Sequence, residues 1–214
     1  MTIFTDIVQG SADWLALRKG RPTASRFSDI ITASKGELSK ASHAYIRELI
    51  GECFVPDFEY WNGNADTERG KILEDEARQA FANTIKFSVE QVGFCLSSDG
   101  VSGCSPDGLV RGKDGEYAFG VEIKCPTPKV HIGYIIDQEL PDAYKQQVHG
   151  SMAVTGLDEW HFWSYCRGLK PFHIIVSRDE YTDKLEDALA LFVADYKQTM
   201  QAITPLIKLP KSDT

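Results

Sequence analysis

Ser105-Pro106-Asp107-Gly108 and, after a turn-rich interval, Glu122-Ile123-Lys124-Cys125-Pro126 form the stretch on which the fold is decided. Leu109 and Val110 make a short apolar run, Gly112-Lys113-Asp114-Gly115 is dense in turn formers, and Tyr117, Phe119, Val121 and Ile123 recur at strand spacing. The pattern predicts a β-hairpin with its loop centred near Asp114 and Gly115, which sets Gly120 to Glu122 opposite Asp107. Alternate strand residues share a face, so Glu122 and Lys124 point one way and Ile123 points into the core. Asp107, Glu122 and Lys124 therefore converge.

Two carboxylates held close together repel, and each resists burial unless a cation neutralises it. Magnesium suits such a place, because it takes one or two carboxylates together with water and phosphate oxygens, and it can activate water and stabilise a leaving oxygen. Lys124 adds a positive charge beside the water or phosphate. The plainer reading is a surface hairpin with a charged strand face.

Pro106-Asp107 followed by Glu122-X-Lys124 resembles the PD-(D/E)XK nuclease signature. The fuller wording, Cys104-Ser105-Pro106-Asp107-Gly108-Leu109 with Glu122-Ile123-Lys124-Cys125-Pro126, is similar to the lambda exonuclease and YqaJ-like viral recombinase family. That resemblance implies an α/β (α+β) chain with a restriction-endonuclease-like core, a central mixed β-sheet flanked by helices. It implies Mg²⁺, two ions with Mn²⁺ able to substitute, held by Asp107, Glu122 and the Ile123 backbone carbonyl, with Glu74 completing the site. Lys124 would orient or activate the water. The implied activity is 5′-to-3′ degradation of one strand of linear double-stranded DNA, leaving 3′ single strands for phage-type recombination by single-strand annealing.

Three further segments carry the resemblance outward. Ser11 is an N-cap candidate for a helix through Trp14-Leu15-Ala16-Leu17-Arg18, with Gly20 just past its end. Pro22 and Thr23 then precede a second predicted helix through Phe27, Ile30 and Ile31, whose N-terminus would offer amide donors to a phosphate near Arg18 and Ser25. The resemblance gives Arg18 and Ser25 the terminal 5′-phosphate; Ser105 and Gln147, whose long amide can reach a phosphate oxygen, are expected to hold phosphate with them. Trp14 either stacks on a duplex end or packs in a core or interface.

Arg69-Gly70-Lys71-Ile72-Leu73-Glu74-Asp75-Glu76-Ala77-Arg78 continues to Phe81 as an amphipathic helix with Asp66 and Thr67 as cap candidates. By spacing alone Glu74 and Arg78 are an i,i+4 surface pair; by resemblance Glu74 is the helix-borne acid of the metal site. In Ala143-Tyr144-Lys145-Gln146-Gln147-Val148-His149, Tyr144, Val148, Ser151 and Met152 have helix spacing, and the resemblance sets Tyr144 and Gln147 in the cleft. His149 has no His or Cys partner at ligand spacing and reads as structural.

The remaining composition is consistent with one domain over 1–214: 214 residues with 43% hydrophobic content can bury one core. Trp160 to Tyr165 and Phe172 to Val176 predict an antiparallel pair that extends the sheet. A long helix is expected from Thr182 through Met200, then a poorly ordered tail from Pro205 to Thr214. Five cysteines without a C-x-x-C pair read as free thiols, and none follows Cys166, where an iron–sulfur nuclease would need several. No leader or apolar span is visible, so a cytoplasmic protein with no membrane partner is expected; the resemblance implies that it is phage or prophage encoded and works in a bacterial host.

The net charge of −8 runs against a nucleic-acid enzyme, since duplex binding rests on basic residues near phosphates. The resemblance answers with a homotrimeric ring that encloses DNA, and the acidic exterior would suit a single-strand annealing protein as partner. A restriction-type or structure-specific endonuclease of the same fold, and a non-catalytic DNA-binding module, remain as alternatives.

Overall fold

The computed structural model describes residues 1–55 and 65–207, with backbone alone over 65–71. In chain order the elements are β1 (Thr2–Phe4), α1 (Ala12–Arg18), a 3₁₀ turn (Ala24–Asp29), α2 (Ser42–Phe54), α3 (Ala65–Ile85), β2 (Phe94–Leu96), β3 (Gly103–Cys104), β4 (Gly108–Arg111), β5 (Tyr117–Lys124), α4 (Pro128–Asp137), α5 (Asp142–Thr155), β6 (Glu159–Ser164), β7 (Phe172–Ser177) and α6 (Glu180–Ile207).

The hairpin forms as its residues dictate. Gly108 pairs with Val121 and Leu109 with Gly120 in antiparallel register, so Asp107, one residue earlier, lies beside Glu122. The turn is closed by the Gly112 N–H donating to the Glu116 carbonyl at 2.8 Å and by Asp114 Oδ1 accepting from the Glu116 N–H at 3.1 Å. Gly115 supplies the left-handed conformation, φ +87°, that the loop requires.

β5 then pairs in parallel with β6 across the α4–α5 crossover, and β6 pairs antiparallel with β7. The result is a mixed four-stranded sheet in the order β4-β5-β6-β7. Helices cover both faces. On one, Ala77 and Phe81 of α3 pack against Val121, Ile123, Cys125 and Trp163. On the other, Trp160 and Phe162 meet Val148 and Met152 of α5, and this larger core extends into α2 and α6. Among the described residues no helix is long and apolar enough to cross a membrane, and the five cysteines are all free.

β6 alternates aromatic and polar residues along Trp160 to Tyr165, yet it has no exposed face. Its residues from Trp160 to Ser164 are all buried, because a central strand covered by α3 and α5 has no solvent face. His161 and Ser164 are satisfied internally: Ser164 Oγ lies 2.7 Å from His131 Nδ1, and His161 reaches Glu159 at 2.9 Å and His173 at 3.1 Å, whereas the buried indole N–H groups of Trp160 and Trp163 find no partner among the described residues. Packing leaves no room at Gly120, where an added Cβ would stand 2.4 Å from the fully buried Trp160 ring. Gly120→Ala should lower stability by about 2–3 kcal/mol through overpacking, read as a fall in the urea midpoint at unchanged slope.

Three other expectations are corrected. The second helix after Pro22 is only the short 3₁₀ turn: the β-branched run Ile30-Ile31-Thr32 leaves it for extended backbone, and Ile31 bridges to Leu38. α6 begins at Glu180, where Asp179 Oδ1 accepts from the N–H groups of Tyr181 and Thr182, and it runs through Pro205 to Ile207. The expected tail thus starts inside a helix; 208–214 lie outside the described residues. Asp66 and Thr67 fall within α3, which starts at Ala65, and are not its caps; their side chains lie outside the described residues.

A second, three-stranded sheet, β1-β2-β3, has no counterpart in the sequence pattern. Beside it, Thr23 bridges to Gly103, and the Gly103 N–H donates to the Pro22 carbonyl at 3.0 Å. These contacts carry the end of α1 to the residues just before Asp107.

Candidate active site

The acidic group gathers where β4 begins and β5 runs on past it, paired there only with β6. Asp107 Oδ2 accepts from the Ile123 N–H at 2.6 Å, so the carboxylate is fixed against the strand beyond the last β4–β5 pair. Glu122 is 2% exposed, and its Oε1 accepts from Lys124 Nζ on the same face. Lys124 in turn sits over the Tyr144 ring, 4.9 Å from its centroid. The Tyr165 N–H donates to the Lys124 carbonyl at 2.8 Å, which directs the alternating amide and carbonyl of Ile123 away from β6, toward Asp107.

Glu74 enters from α3. Arg78 NH2 donates to its Oε1 at 2.5 Å, while the same guanidinium donates to Asp75 Oδ1 and to the Asp107 carbonyl, each at 2.7 Å. The pairing expected from i,i+4 spacing is thus present together with the approach to the acids. Arg78 is itself buried and clamps the helix to the β4–β5 hairpin, a role that its spacing from Glu74 hints at and sequence reasoning did not assign. Of the neighbouring acids, Asp75 is exposed and Glu76 turns to Arg167 and Tyr165, so Glu74 is the one facing the hairpin.

Electrostatics reflect this crowding. Burial first, and then the charge of Asp107, push Glu74 up to about 7. Burial, with Asp107 and Glu74 adding to it and Lys124 opposing, pushes Glu122 up to about 7. Asp107 is raised by burial against the pull of Lys124 and the Ile123 amide. For Lys124 burial acts downward, but Glu122 and Asp107 outweigh it and the net shift is upward. Three acids share one lysine and one arginine, and all three acids are held above their ordinary range.

That donor set has the chemistry of a divalent cation site. Among the described residues no three His, Cys, Asp or Glu side chains close around an ion by themselves. An ion that keeps waters and substrate oxygens needs no such cage, and added positive charge relieves each raised carboxylate.

A second group adjoins the first through Ser105. Ser11 caps α1 by accepting from the Trp14 N–H at 3.2 Å. Arg18, one turn after Trp14, lies 4.4 Å over its ring. Ser105 Oγ accepts from Trp14 Nε1 at 2.9 Å and from Arg18 NH1 at 3.4 Å; Arg18 NH2 donates to Thr23 Oγ1 at 3.2 Å and to Ser25 Oγ at 3.1 Å. Among the described residues its hydrogen-bond partners are three hydroxyls and no carboxylate, and burial lowers its pKa. A half-buried guanidinium whose hydrogen-bond partners are all neutral is complementary to an anion. Because the following element is a short turn, the donors here are side chains and not a helix N-terminus. Thr23 was not singled out for this cluster by its sequence context.

The fold therefore brings Asp107, Glu122, Lys124, Glu74 and Tyr144 into one group, and Trp14, Arg18, Ser25 and Ser105 into its neighbour. Gln147 lies three residues beyond Tyr144 on α5, half-buried, and hydrogen-bonds to neither group; the adjacent Gln146 is buried and donates to the Ile31 carbonyl at 3.3 Å.

The chain is similar to the alkaline exonuclease LHK-Exo of Laribacter hongkongensis, at 29% identity and a TM-score of 0.78 over 91% of this chain and 97% of that one. The structure of LHK-Exo in complex with dAMP matches at 29% identity and 0.72, covering 92% of this chain and 100% of that one. A phage-related exonuclease from Haemophilus somnus, 15% identical, shares the fold at a TM-score of 0.66 over 88% and 99% of the two chains. No curated protein is detectably similar in sequence. The model of the YqaJ-like viral recombinase domain matches residues 13–158, which span both groups, and the chain belongs to that family.

Proposed function

We propose that this chain is a magnesium-dependent exonuclease that degrades one strand of linear double-stranded DNA from its 5′ end. The observation that carries the reading is the junction of the two groups: a half-buried arginine bonded only to hydroxyls reaches Ser105, two residues before Asp107 in a cluster of acids held above their ordinary range. One group suits a terminal phosphate and the other a phosphodiester under hydrolysis. The relative's name as an alkaline exonuclease, and its complex with a deoxynucleoside monophosphate, support the same reading.

Asp107, Glu122 and the Ile123 carbonyl would hold Mg²⁺ or Mn²⁺, with Glu74 completing the site for a second ion. Bound there, the metal supplies charge stabilisation and a more acidic water. Arg18, Ser25 and Ser105 anchor the 5′-phosphate, Trp14 meets the duplex end, and Tyr144 and Gln147 line the cleft. Lys124, holding its proton at Nζ, orients the water and offsets charge on the phosphate. Water adds to the phosphorus of the first internucleotide linkage as the bond to the 3′-oxygen breaks. A mononucleotide leaves, and the shortened strand again ends in a 5′-phosphate, ready for the same anchor.

A homotrimeric ring around the duplex and a single-strand annealing partner for the exposed 3′ strand belong to this reading. Both would serve a chain of net charge −8 that makes few phosphate contacts of its own. The terminal anchor is tested with linear duplexes that carry or lack a 5′-phosphate. The chain should degrade the phosphorylated ends about 10-fold or more faster, and Arg18→Ala should erase that preference. Equal rates on both ends in the unmodified protein would remove the anchor from the account.

A further inference from the structure

Glu76 lies two residues beyond Glu74 but faces a different partner. Tyr165 Oη donates to its Oε1 at 2.5 Å, and Arg167 Nε donates to Oε1 at 3.0 Å and Oε2 at 2.9 Å, with NH2 adding another bond to Oε2. Tyr165 is also the residue whose N–H holds the Lys124 carbonyl. One short segment after β6 therefore grips the catalytic strand by its backbone and α3 by its side chains. On the opposite side of the helix Arg78 ties α3 to the Asp107 carbonyl. Between these fastenings, Ala77 and Phe81 pack on the sheet, but their apolar contacts fix the distance from the sheet more firmly than the sliding of the helix along it.

We propose that Glu76, Tyr165 and Arg167 form a strap that sets the position of α3 along the catalytic strand, and with it the reach of Glu74 toward Asp107 and Glu122. The inference rests on the metal-dependent reading above and assigns positioning residues to it. None of the three touches the reacting phosphate. They act through Glu74, so loosening them weakens metal binding before it weakens DNA binding. Residues that bond a metal's ligands directly change metal affinity about 10–100-fold; the Glu76–Arg167 pair is solvent-exposed and acts one step further out, so its effect belongs at the low end of that range.

Glu76→Gln, Arg167→Ala and the milder Arg167→Lys test this, with magnesium titrated in two ways. The first readout is the rate on a linear duplex; the second is the rise of the thermal unfolding midpoint caused by Mg²⁺ without DNA. Glu76→Gln and Arg167→Ala should raise the half-saturating Mg²⁺ about 10-fold in both readouts. At saturating metal, kcat should recover to within about threefold, with KM for DNA unchanged. Arg167→Lys should fall between. Glu76→Arg combined with Arg167→Glu should restore the wild-type response.

An unchanged half-saturating Mg²⁺ with raised KM for DNA would overturn the strap and make Arg167 a DNA contact. A loss of kcat that no amount of metal restores would overturn it as well. If the wild-type protein shows neither Mg²⁺-dependent cleavage nor Mg²⁺-dependent stabilisation, the metal reading itself fails and the strap falls with it. Normal wild-type responses matched by the variants would sink the strap alone.

Discussion

Lys124→Ala should lower the rate of duplex hydrolysis at saturating magnesium about 10³-fold while leaving DNA binding within a fewfold of wild type. The basis is geometric: Nζ bonds Glu122, lies over Tyr144, and is the cation nearest the pair of hairpin acids. Removing a preorganised charge aimed at a developing anion costs a factor of about 10²–10³, and loss of water positioning adds to it. The same change should destabilise the protein in EDTA near neutral pH. Glu122, 2% exposed, and Asp107 would lose the charge that offsets them, and they would ionise less readily still. Added Mg²⁺ should recover part of that stability. Rates are read under single-turnover conditions and stability by thermal unfolding; wild-type activity in the purified variant would remove Lys124 from the chemistry.

Glu74→Gln should do the reverse to stability while also harming activity. Its carboxyl is raised to about 7 from an ordinary value of 4.5, by burial and then by Asp107. Below pH ~4.5 the acid is neutral whether folded or unfolded and contributes nothing. Between 4.5 and 7 the unfolded chain ionises first, so stability falls as pH rises, and above 7 the loss is complete. The glutamine removes that loss. In EDTA at pH 8 the variant should be more stable by on the order of 2 kcal/mol, with the gain vanishing near pH 4.5. The amide oxygen can still accept from Arg78, so the clamp survives. Activity should drop about 10²-fold or more, and the stabilisation that Mg²⁺ gives the wild type at pH 8 should shrink. A variant less stable than wild type at pH 8 would mean that the Arg78 pairing outweighs the repulsion. The opposite signs for Lys124 and Glu74 express one arrangement: acids kept close for function at the expense of stability.

The sequence pattern made the hairpin legible because everything that defines it is local. A turn-dense interval and period-2 apolar residues set the register, and register alone brings Asp107 to Glu122. α5 was legible for the same reason, from Tyr144, Val148, Ser151 and Met152. Glu74 was harder, since three consecutive acids differ in facing only by helix rotation, and the partners that separate them, Arg78 and Arg167, lie on different elements. The meeting of Arg18 with Ser105 was not legible from local pattern at all. It depends on the bridge between Thr23 and Gly103 and on a small sheet of two- and three-residue strands, too short to leave a period. The 3₁₀ turn was misread as a helix because Phe27, Ile30 and Ile31 have helical spacing, whereas they reach the core from a turn and an extended segment. The β6–β7 pair was legible as an antiparallel extension of the sheet, whereas the burial of β6 on both faces was not, because it depends on helices supplied from elsewhere in the chain.

The account's central claim is that the hairpin acids and the Arg18 pocket form one site that hydrolyses DNA from an end. The most direct measurement is digestion of linear and covalently closed circular duplexes of the same sequence, in Mg²⁺ and in EDTA, with Asp107→Ala protein alongside. The account predicts that the linear duplex alone is degraded to mononucleotides, only with Mg²⁺, and not by the variant. Cleavage of the closed circle, hydrolysis in EDTA, or persistent activity in the purified Asp107→Ala protein would contradict it.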